Sequence, residues 1–381
     1  MMKERLWKYG VNLCRLLLAV TFIFSGYVKA IDPLGTQYKI QDYLEAMGLV
    51  GMMPDMLTLL ASVALSTLEF SLGVFLLLAI RRRIVTKTIL AMMAVMTLVT
   101  CWIYWTDPVE DCGCFGDAVK LTNGQTLMKN IILLACAVLV CWKNRLMSLM
   151  MPRQWQWIVI NLTVLFIVAS SLWSLYFLPP LDFRPYYVGA DIKKGMEIPV
   201  GAEQPQFETT FTLRKNGREE TFTLENYPDS TWEYVATHTV QTRKGYIPPI
   251  HDFSIVDQET GQDITEQVLS HKGYTLLLVS PYLEQADDGN FGQIDQLYEF
   301  SLEQGWPMYC LTASAEKGVS YWRDITGAEY PFCTTDATTL KTMIRSNPGL
   351  LLLKGSVIVG KWSHNSLPKI EKLRQLTSAQ Q

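Results

Sequence analysis

Five long apolar segments in the first half of the chain limit what it can fold into. They cover roughly residues 10–30, 57–80, 84–105, 126–142 and 156–178. A helix needs about 20 mostly apolar residues to cross the hydrocarbon core of a bilayer, so each segment is a candidate membrane span and the fourth is at the short limit. The first segment lacks a signal-peptide cleavage pattern and is followed by four more, so we expect it to be retained. The first 180 residues therefore predict an α-helical membrane bundle of four core spans and a fifth that acts as a tether.

Basic residues in the short loops predict the orientation of these spans. They precede the first span, separate the second from the third, and separate the fourth from the fifth: Lys3, Arg5 and Lys8; Arg81, Arg82, Arg83 and Lys87; Lys143, Arg145 and Arg153. The alternate loops are acidic. We therefore expect a multi-pass protein of the cell inner membrane with a cytoplasmic N-terminus. Everything after Pro179 would then lie in the periplasm.

The second half of the chain has the pattern of a soluble protein. Residues 207–213 and 220–224 alternate around a Lys215-Asn216-Gly217 turn, which predicts a β-rich segment. Beyond Gly245, strands and helices alternate, which predicts a sheet flanked by helices. The predicted strands are 274–280, 306–311, 350–354 and 357–362, and the predicted helices are 290–304, 314–326, 336–345 and 367–376.

These patterns divide the chain into four parts. They are a transmembrane bundle (1–150), a fifth span and tether (151–182), a β-rich extracytoplasmic segment (183–245) and an α/β domain (246–381). The net charge is only −3, so no strong attraction to nucleic acid is expected. The expected partners are the lipid membrane and an extracytoplasmic protein.

The loop at residues 111–117, between the third and fourth spans, carries the candidate reactive groups. Cys112 and Cys114 are separated by Gly113 and flanked by carboxylates, so we expect them in polar surroundings at the membrane surface. A redox-active disulfide, a static disulfide and a soft-metal site all remain open. No histidine precedes His238, which argues against zinc, and we predict no metal. A disulfide between these cysteines closes a very small ring and should be easily reduced, which favours the redox interpretation.

Other cysteines carry weaker signals. Cys101, about one helical turn inside the third span, is either a resolving thiol or a packed core residue. Cys14, Cys136 and Cys141 lie deeper in predicted spans. Free cysteine behaves as a small hydrophobe, so we interpret these three as packing residues.

Glu69 is the second unusual residue, because it falls near the middle of the second span. A carboxylate there is costly and usually faces the bundle interior. We expect it either to be protonated or to pair with Lys29 or Lys129. It could relay a proton or hold a quinone, or it could only fix helix packing. The candidate catalytic residues are thus Cys112 and Cys114, and Glu69, Asp117 and Lys29 are supporting candidates.

The membrane half resembles a known family over roughly residues 10–142. The matching residues are Phe24–Lys29 with Asp32-Pro33, Glu69, the loop at 111–117, and Lys129-Asn130. They resemble the DoxX and MauE family of small, redox-associated membrane proteins. That family is distantly similar to the vitamin K epoxide reductases, which makes quinone a candidate cofactor. Those reductases use Cys-x-x-Cys, however, whereas this chain has Cys-x-Cys.

The α/β domain resembles the thioredoxin-like fold of thiol oxidoreductases and peroxiredoxins. The likeness rests on residues 245–261, on the strand at 274–280 and on residues 344–354, which would carry the cis-proline of that family at Pro348. A redox thioredoxin has Cys-x-x-Cys directly after the first of these strands. Residues 280–287 contain no cysteine. We therefore expect a binding or docking domain, with Cys310 and Cys333 buried and inert.

Two functions remain open, and the sequence leaves undecided whether the protein is an enzyme. The leading one is thiol/disulfide or quinone-linked electron transfer through Cys112 and Cys114, with the thioredoxin-like domain binding the partner. The alternative is a non-enzymatic membrane scaffold or assembly factor. A transporter is disfavoured, because five spans with one buried carboxylate offer few residues for a pathway.

Overall fold

The computed structural model describes residues 2–49, 53–107, 109, 112–199, 201–202, 206–215, 218–223, 233–243 and 245–378. For residues 2–3 and 206–243 it describes the backbone only, and for the others it describes the side chains as well. A helical half occupies the first 180 residues and two sheets follow it. The expected fold class, a helical membrane bundle followed by a β-rich segment and an α/β domain, is confirmed.

Five helices are long and apolar enough to span a membrane, as predicted. They are α1 (Met2–Ile31), α3 (Asp55–Leu77), α4 (Arg82–Thr106), α5 (Asn123–Trp142) and α6 (Gln156–Tyr176). The fourth span is longer than the sequence pattern suggested, because α5 begins at a Thr122 cap. The Thr122 side chain accepts a hydrogen bond from the Gln125 amide, and the Gln125 side chain accepts one from the Thr122 amide.

An additional helix, α2 (Pro33–Ala46), was not predicted. It connects the first two spans and follows α1 after one residue. Asp32 caps it by accepting a hydrogen bond from the Gly35 amide at 3.0 Å, and Pro33 occupies its first turn. Asp before Pro is a helix-start signal that the sequence analysis used only for family resemblance. The helix matters because it covers the thiol loop described below.

Helices α1 and α3 approach closely at two glycines. A Cβ on Gly73 would lie 2.7 Å from the Ile23 backbone nitrogen and 3.0 Å from the Ala19 carbonyl oxygen. A Cβ on Gly26 would collide with the backbone of Phe70. Small residues allow membrane helices to pack backbone against backbone. This close packing brings polar side chains of α1 and α3 within reach of each other.

The first sheet is three-stranded and antiparallel. It contains β1 (Gln206–Lys215), β2 (Arg218–Thr223) and β3 (Glu233–Arg243) in the order β2-β1-β3. Lys215 pairs with Arg218, so β1 and β2 form the hairpin that the sequence predicted. Asn216 and Gly217 at its turn lie outside the described residues. Ahead of this sheet, a short helix, α7 (Ile192–Met196), follows the last span.

The second sheet is mixed and six-stranded, in the order β4-β7-β6-β5-β8-β9. Its strands are β4 (Val256–Asp257), β5 (Tyr274–Ser280), β6 (Met308–Thr312), β7 (Phe332–Thr334), β8 (Gly349–Lys354) and β9 (Val357–Ser363). The helices with it are α8 (Thr265–Leu269), α9 (Phe291–Glu303), α10 (Glu316–Thr326), α11 (Ala337–Met343) and α12 (Ile370–Ser378).

Strands β5, β6 and β7 run parallel, whereas β8 is antiparallel to β5 and β9 to β8. This topology and the cis peptide bond at Asn347-Pro348 give residues 256–378 a thioredoxin-like fold, as the resemblance implied. We call these residues the thioredoxin-like domain. Strands β4 and β7 were missed, because runs of two and three residues carry no alternation pattern.

Successive residues of β5 supply both faces of this sheet. Leu276 and Leu278 pack with Trp322 on one face, whereas Leu277 and Val279 belong to the core on the other. Every residue of β5 is buried. A central strand covered on both faces is expected to be continuously apolar, which explains why its limits were predicted correctly from the sequence.

We expect Gly73→Ala to destabilise the helical bundle, because neither backbone atom near the new methyl group can move without separating α1 from α3. Overpacking of this kind costs about 1–3 kcal/mol, which thermal unfolding in detergent would detect. Gly10→Ala, in α1, is the matched control, since a Cβ there meets nothing within 4 Å. Equal loss of stability in both variants would contradict the close approach.

Candidate functional site

Cys112 and Cys114 form a disulfide in the loop between α4 and α5. Gly113 and Gly116 both have positive φ, of 62° and 52°, a conformation that glycine adopts without the steric cost that a side chain brings. We call residues 112–117 the thiol loop. The structure thus pairs the two cysteines with each other and leaves Cys101 as a partly buried free thiol.

The surroundings of the disulfide differ from the sequence-based expectation. Each cysteine is only 8% exposed and packs against Ile103 of α4, with Tyr43 and Trp102 nearby. The expectation of polar surroundings was therefore wrong. The sequence shows the carboxylates beside the loop, but it does not show that α2 covers it, with the Tyr43 hydroxyl donating to the Cys112 carbonyl at 2.6 Å.

A buried chain of polar groups reaches the loop from inside the bundle. Lys29 Nζ contacts both carboxylate oxygens of Glu69, at 2.7 and 2.9 Å, and both side chains are about 5% exposed. Ser25 Oγ lies 2.8 Å from Glu69 Oε2 and 2.7 Å from the Cys114 carbonyl oxygen. The hydroxyl has one proton and can donate to only one of these acceptors at a time. Ser25 therefore donates either to the Glu69 carboxylate or to the Cys114 carbonyl, and it lies between the buried pair and the backbone of the disulfide.

The helix geometry explains this arrangement. Ser25 and Lys29 are four residues apart on α1, so they share one face of that helix. The glycine contacts bring α3 close enough for Glu69 to reach both. Of the two partners expected for Glu69, the structure selects Lys29. Lys129 instead places its ammonium 4.2 Å from the centre of the Phe115 ring.

A small crevice lies between these groups. It is lined by Ser25, Glu69, Cys114, Phe115 and Lys129, and its volume is about 30 Å³. Space of this size holds a few water molecules and is too small for a quinone ring.

The thioredoxin-like domain contacts the bundle beside the thiol loop. Arg345 makes a two-pronged contact with Asp32, with Nε to Oδ1 at 2.9 Å and Nη2 to Oδ2 at 2.9 Å. Its Nη2 also lies 3.6 Å from Asp117 Oδ2 of the loop. Arg345 is 7% exposed, Asp32 is 20% exposed and Asp117 is 35% exposed. The structure thus brings Asp117 to the domain interface.

Electrostatics favour this contact. Burial opposes ionisation of Asp32, but the guanidinium groups of Arg345 and Arg184 outweigh it and hold the pKa of the carboxyl below its usual range. Burial likewise opposes the charge on Arg345, yet Asp32 raises the pKa of Arg345. A carboxyl with a lowered pKa stabilises the folded state above its ordinary pKa and loses this effect as the pH falls through the lowered value. The contact is therefore fully formed at neutral pH.

The segment after the last span strengthens the same interface. Arg184 contacts Asp182 at 2.8 Å through Nε and donates to the Thr342 carbonyl at 3.1 Å. Lys361 Nζ lies 2.6 Å from Asp182 Oδ2. Burial, assisted by the charge of Arg184, nevertheless lowers the pKa of Lys361 to about 7. These bonds fix the chain that enters the thioredoxin-like domain.

A cavity of about 380 Å³ remains between the bundle and the domain. The thiol loop forms part of its wall, with charged side chains from α2, the loop and α11. Its lining includes Asp32, Lys39, Gly113, Lys120, Lys341 and Arg345. The disulfide itself does not line this cavity; it lies behind Gly113, which Lys39 covers closely enough that a Cβ on Gly113 would be 3.1 Å from Lys39 Cγ.

The thioredoxin-like domain presents its expected functional edge to the bundle, without a thiol. Ser280 at the end of β5 donates to Asn347 Oδ1 at 2.6 Å, and Asn347 donates to the Tyr282 carbonyl at 2.9 Å. Cys310 and Cys333 are fully buried in strands, as predicted. Burial raises the pKa of Cys333 to about 12 and raises that of Cys310 as well, so neither is a nucleophile at neutral pH.

Sequence analysis missed two residues that organise the site. Ser25 was noted only as part of a family motif, although its spacing from Lys29 could have identified it. Arg345 carried a detectable signal too, since a basic residue three positions before the expected cis-proline lies at the functional edge of the fold. Its partner, Asp32, is 313 residues away, and no local pattern could have joined them.

Two family models match parts of the chain. Residues 7–143 match the family model described as methylamine utilisation protein MauE, and residues 207–244 match a domain of unknown function, DUF8463. No curated protein matches the sequence.

Two solved structures are similar to this chain at low identity. One is the solution structure of a candidate protein disulfide isomerase from Bacteroides thetaiotaomicron, with 14% identity, 34% of this chain and 84% of that chain covered, and a TM-score of 0.27. The other is the crystal structure of a candidate thiol:disulfide interchange protein DsbE from Chlorobium tepidum, with 13% identity, 34% and 92% coverage, and a TM-score of 0.26.

The fold and the family match define the class of protein. It is a multi-pass membrane protein with a MauE-like helical region, followed by a β-sheet segment and a thioredoxin-like domain.

Asp32→Asn should weaken the contact between the bundle and the domain, because it leaves the buried Arg345 guanidinium with only the more distant carboxylate of Asp117, at 3.6 Å. Loss of one partner from a buried pair costs about 3–5 kcal/mol. We expect faster proteolysis and hydrogen exchange of residues 177–190 in the variant. Glu259→Gln, which breaks the exposed pair with Arg323, is the matched control and should change neither. Unchanged protection in Asp32→Asn would contradict the proposed strength of the contact.

Lys29→Met should destabilise the bundle by about 3 kcal/mol, because it leaves the Glu69 carboxylate unpaired inside the helices. The double variant Lys29→Met/Glu69→Met should recover much of this loss, since it removes both charges. Thermal unfolding in detergent measures both effects. A double variant no more stable than the single one would argue against a simple charge pair.

Proposed function

We propose that this protein exchanges disulfides with an extracytoplasmic protein partner through Cys112 and Cys114. The observation that carries the proposal is the Cys112–Cys114 disulfide, held in a covered loop that contacts Ser25 beside a buried ionisable pair. A disulfide between cysteines one residue apart joins residues that are already close along the chain. It therefore restricts the unfolded chain far less than a long-range crosslink would. This favours a chemical role for the bond over a stabilising one.

The electrons and protons of this exchange pass between the thiols of the two proteins, so no additional cofactor is needed. A partner thiolate attacks one sulfur of the Cys112–Cys114 disulfide, forming a mixed disulfide and releasing the other sulfur as a thiolate. A second partner thiolate then attacks the mixed disulfide. Two electrons and two protons pass to Cys112 and Cys114, and the partner leaves with a disulfide. The reverse sequence oxidises Cys112 and Cys114 and reduces the partner.

Three supporting residues have distinct roles in this proposal. Glu69 and Lys29 position the loop through Ser25, and their hydrogen bonds can adjust when the loop gains protons on reduction. Asp117 couples the loop to Arg345 of the thioredoxin-like domain. None of the three needs to touch the partner, so we assign them as positioning residues.

Access to the disulfide requires movement, since each cysteine is only 8% exposed. The thioredoxin-like domain lies against the loop and has no thiol at its functional edge. We propose that it covers the loop and recruits the partner without exchanging electrons itself. The contact of Arg345 with the partly exposed Asp117 is the weaker of its two ion pairs and is the natural point of opening.

The cellular placement is part of the same proposal. The basic clusters before the first span and after the second and fourth support a cytoplasmic N-terminus. The thiol loop and the thioredoxin-like domain would then face the periplasm of an inner membrane, where disulfides persist. A DoxX-like relationship is compatible with this placement. Quinone is a less favoured electron acceptor, because the crevice beside Cys114 has room for only a few water molecules.

A scaffold or assembly factor is the second candidate function. The observation that favours it is the thioredoxin-like domain, which keeps its cis-proline but has Ser280 where a cysteine pair would begin. In this case the disulfide would only pin the loop against α2, and the domain would bind a protein or ligand.

The two functions are separated by thiol trapping in intact cells. We expect Cys112 and Cys114 to be alkylated after mild reduction and protected after reoxidation, with two thiols changing together. Cys112→Ser and Cys114→Ser should each abolish the paired change, and the variant that keeps the cysteine attacked by the partner should accumulate a mixed disulfide with the oxidised partner. Cys101→Ser is the matched control and should cycle like the unmodified protein. If the pair stays in one state under all conditions, the exchange function is wrong and the scaffold function is favoured.

A further inference from the structure

A second large cavity lies at the end of the bundle opposite the thiol loop. It is formed by the start of α1, the start of α4, and the end of α5 with the residues that follow it. Its volume is about 610 Å³, within the usual range of ligand pockets. Its charged and aromatic lining residues are Glu4, Trp7, Arg83, Trp142, Lys143 and Arg145. None of them belongs to the site proposed for disulfide exchange.

Positive charge dominates this cavity. Arg83, Lys143 and Arg145 face a single carboxylate among the lining residues, that of Glu4. Among the side chains that the structure describes, no ion pair joins any of these three basic residues to a carboxylate. The cavity therefore carries positive charge that the protein itself leaves largely uncompensated.

Two tryptophans give the cavity a membrane-facing side. The Lys143 ammonium lies 4.2 Å from the Trp142 ring centre and 5.9 Å from that of Trp7, and the two indoles meet edge to face at 6.3 Å. Trp7 is 45% exposed and Trp142 is 70% exposed. Tryptophan prefers the level of the lipid head groups, so these rings place the cations at that depth.

The walls of the cavity are fixed by a buried arginine. Arg15 of α1, 4% exposed, donates to the carbonyls of Leu76 at 3.0 Å, of Ser148 at 2.9 Å and of Leu77. These bonds join α1 to the end of α3, just ahead of α4, and to the residues that follow α5. The site is thus preformed, and a ligand would not have to order it.

We infer that this cavity binds the phosphate-bearing head group of an anionic phospholipid. Converging cations provide the attraction, as in basic pockets between membrane helices that hold anionic lipid head groups. The indole rings would lie beside the glycerol backbone and the upper acyl chains. A zwitterionic lipid carries its own positive charge and would gain much less from Arg83, Lys143 and Arg145. The inference is independent of the disulfide chemistry.

The test compares two triple variants of the full-length protein, purified in detergent and stripped of lipid. One is Arg83→Gln/Lys143→Gln/Arg145→Gln. The other, Arg5→Gln/Lys8→Gln/Lys87→Gln, removes the same charge from the same end of the bundle but outside the cavity. Native mass spectrometry would count bound phosphatidylglycerol and phosphatidylcholine, and soluble glycerol 3-phosphate would serve as the head group without chains.

We expect phosphatidylglycerol to bind the unmodified protein and the second triple variant with similar affinity. The cavity variant should bind it at least about tenfold more weakly, and phosphatidylcholine should bind all three equally poorly. Equal weakening in both triple variants would show only a general surface charge and overturn the inference. Equal binding of both lipids, or full occupancy by glycerol 3-phosphate, would overturn it as well.

Discussion

The buried pair of Lys29 and Glu69 is the interaction on which the rest of the site depends. A carboxylate inside a membrane bundle is costly unless it has a partner. The Lys29 ammonium contacts both oxygens of the Glu69 carboxylate. The Ser25 hydroxyl lies within hydrogen-bond distance of both the Glu69 carboxylate and the Cys114 carbonyl and can donate to either. The close approach of α1 and α3 at Gly26 and Gly73 is what makes this chain of contacts possible. The disulfide is thus anchored from within the bundle.

A second buried pair sets the position of the thioredoxin-like domain. Arg345 satisfies Asp32 and approaches Asp117, so one side chain holds both the start of α2 and the end of the thiol loop. The domain is therefore tied both to the start of α2 and to the thiol loop. In the proposed exchange function, this domain would bind the partner while Cys112 and Cys114 react.

Sequence patterns predicted the elements with strong local signals and missed those that depend on tertiary contact. The five spans and strand β5 followed from long apolar runs, and the cis peptide before Pro348 followed from a family motif. Glu69 was identified because a carboxylate is conspicuous among apolar residues. Its link to the loop through Ser25, and the covering of the loop by α2, arise from contacts between distant segments. The polar environment expected for the cysteines was wrong for that reason.

The most direct test of the central claim is a redox titration of the purified protein in glutathione buffers, with the state of Cys112 and Cys114 read by alkylation and mass spectrometry. Structural disulfides usually have potentials below about −300 mV. The disulfide-exchange account predicts a reversible two-electron transition at a higher potential, within the range of the buffers. A disulfide that remains oxidised over the whole range, in protein that is otherwise folded, would contradict it.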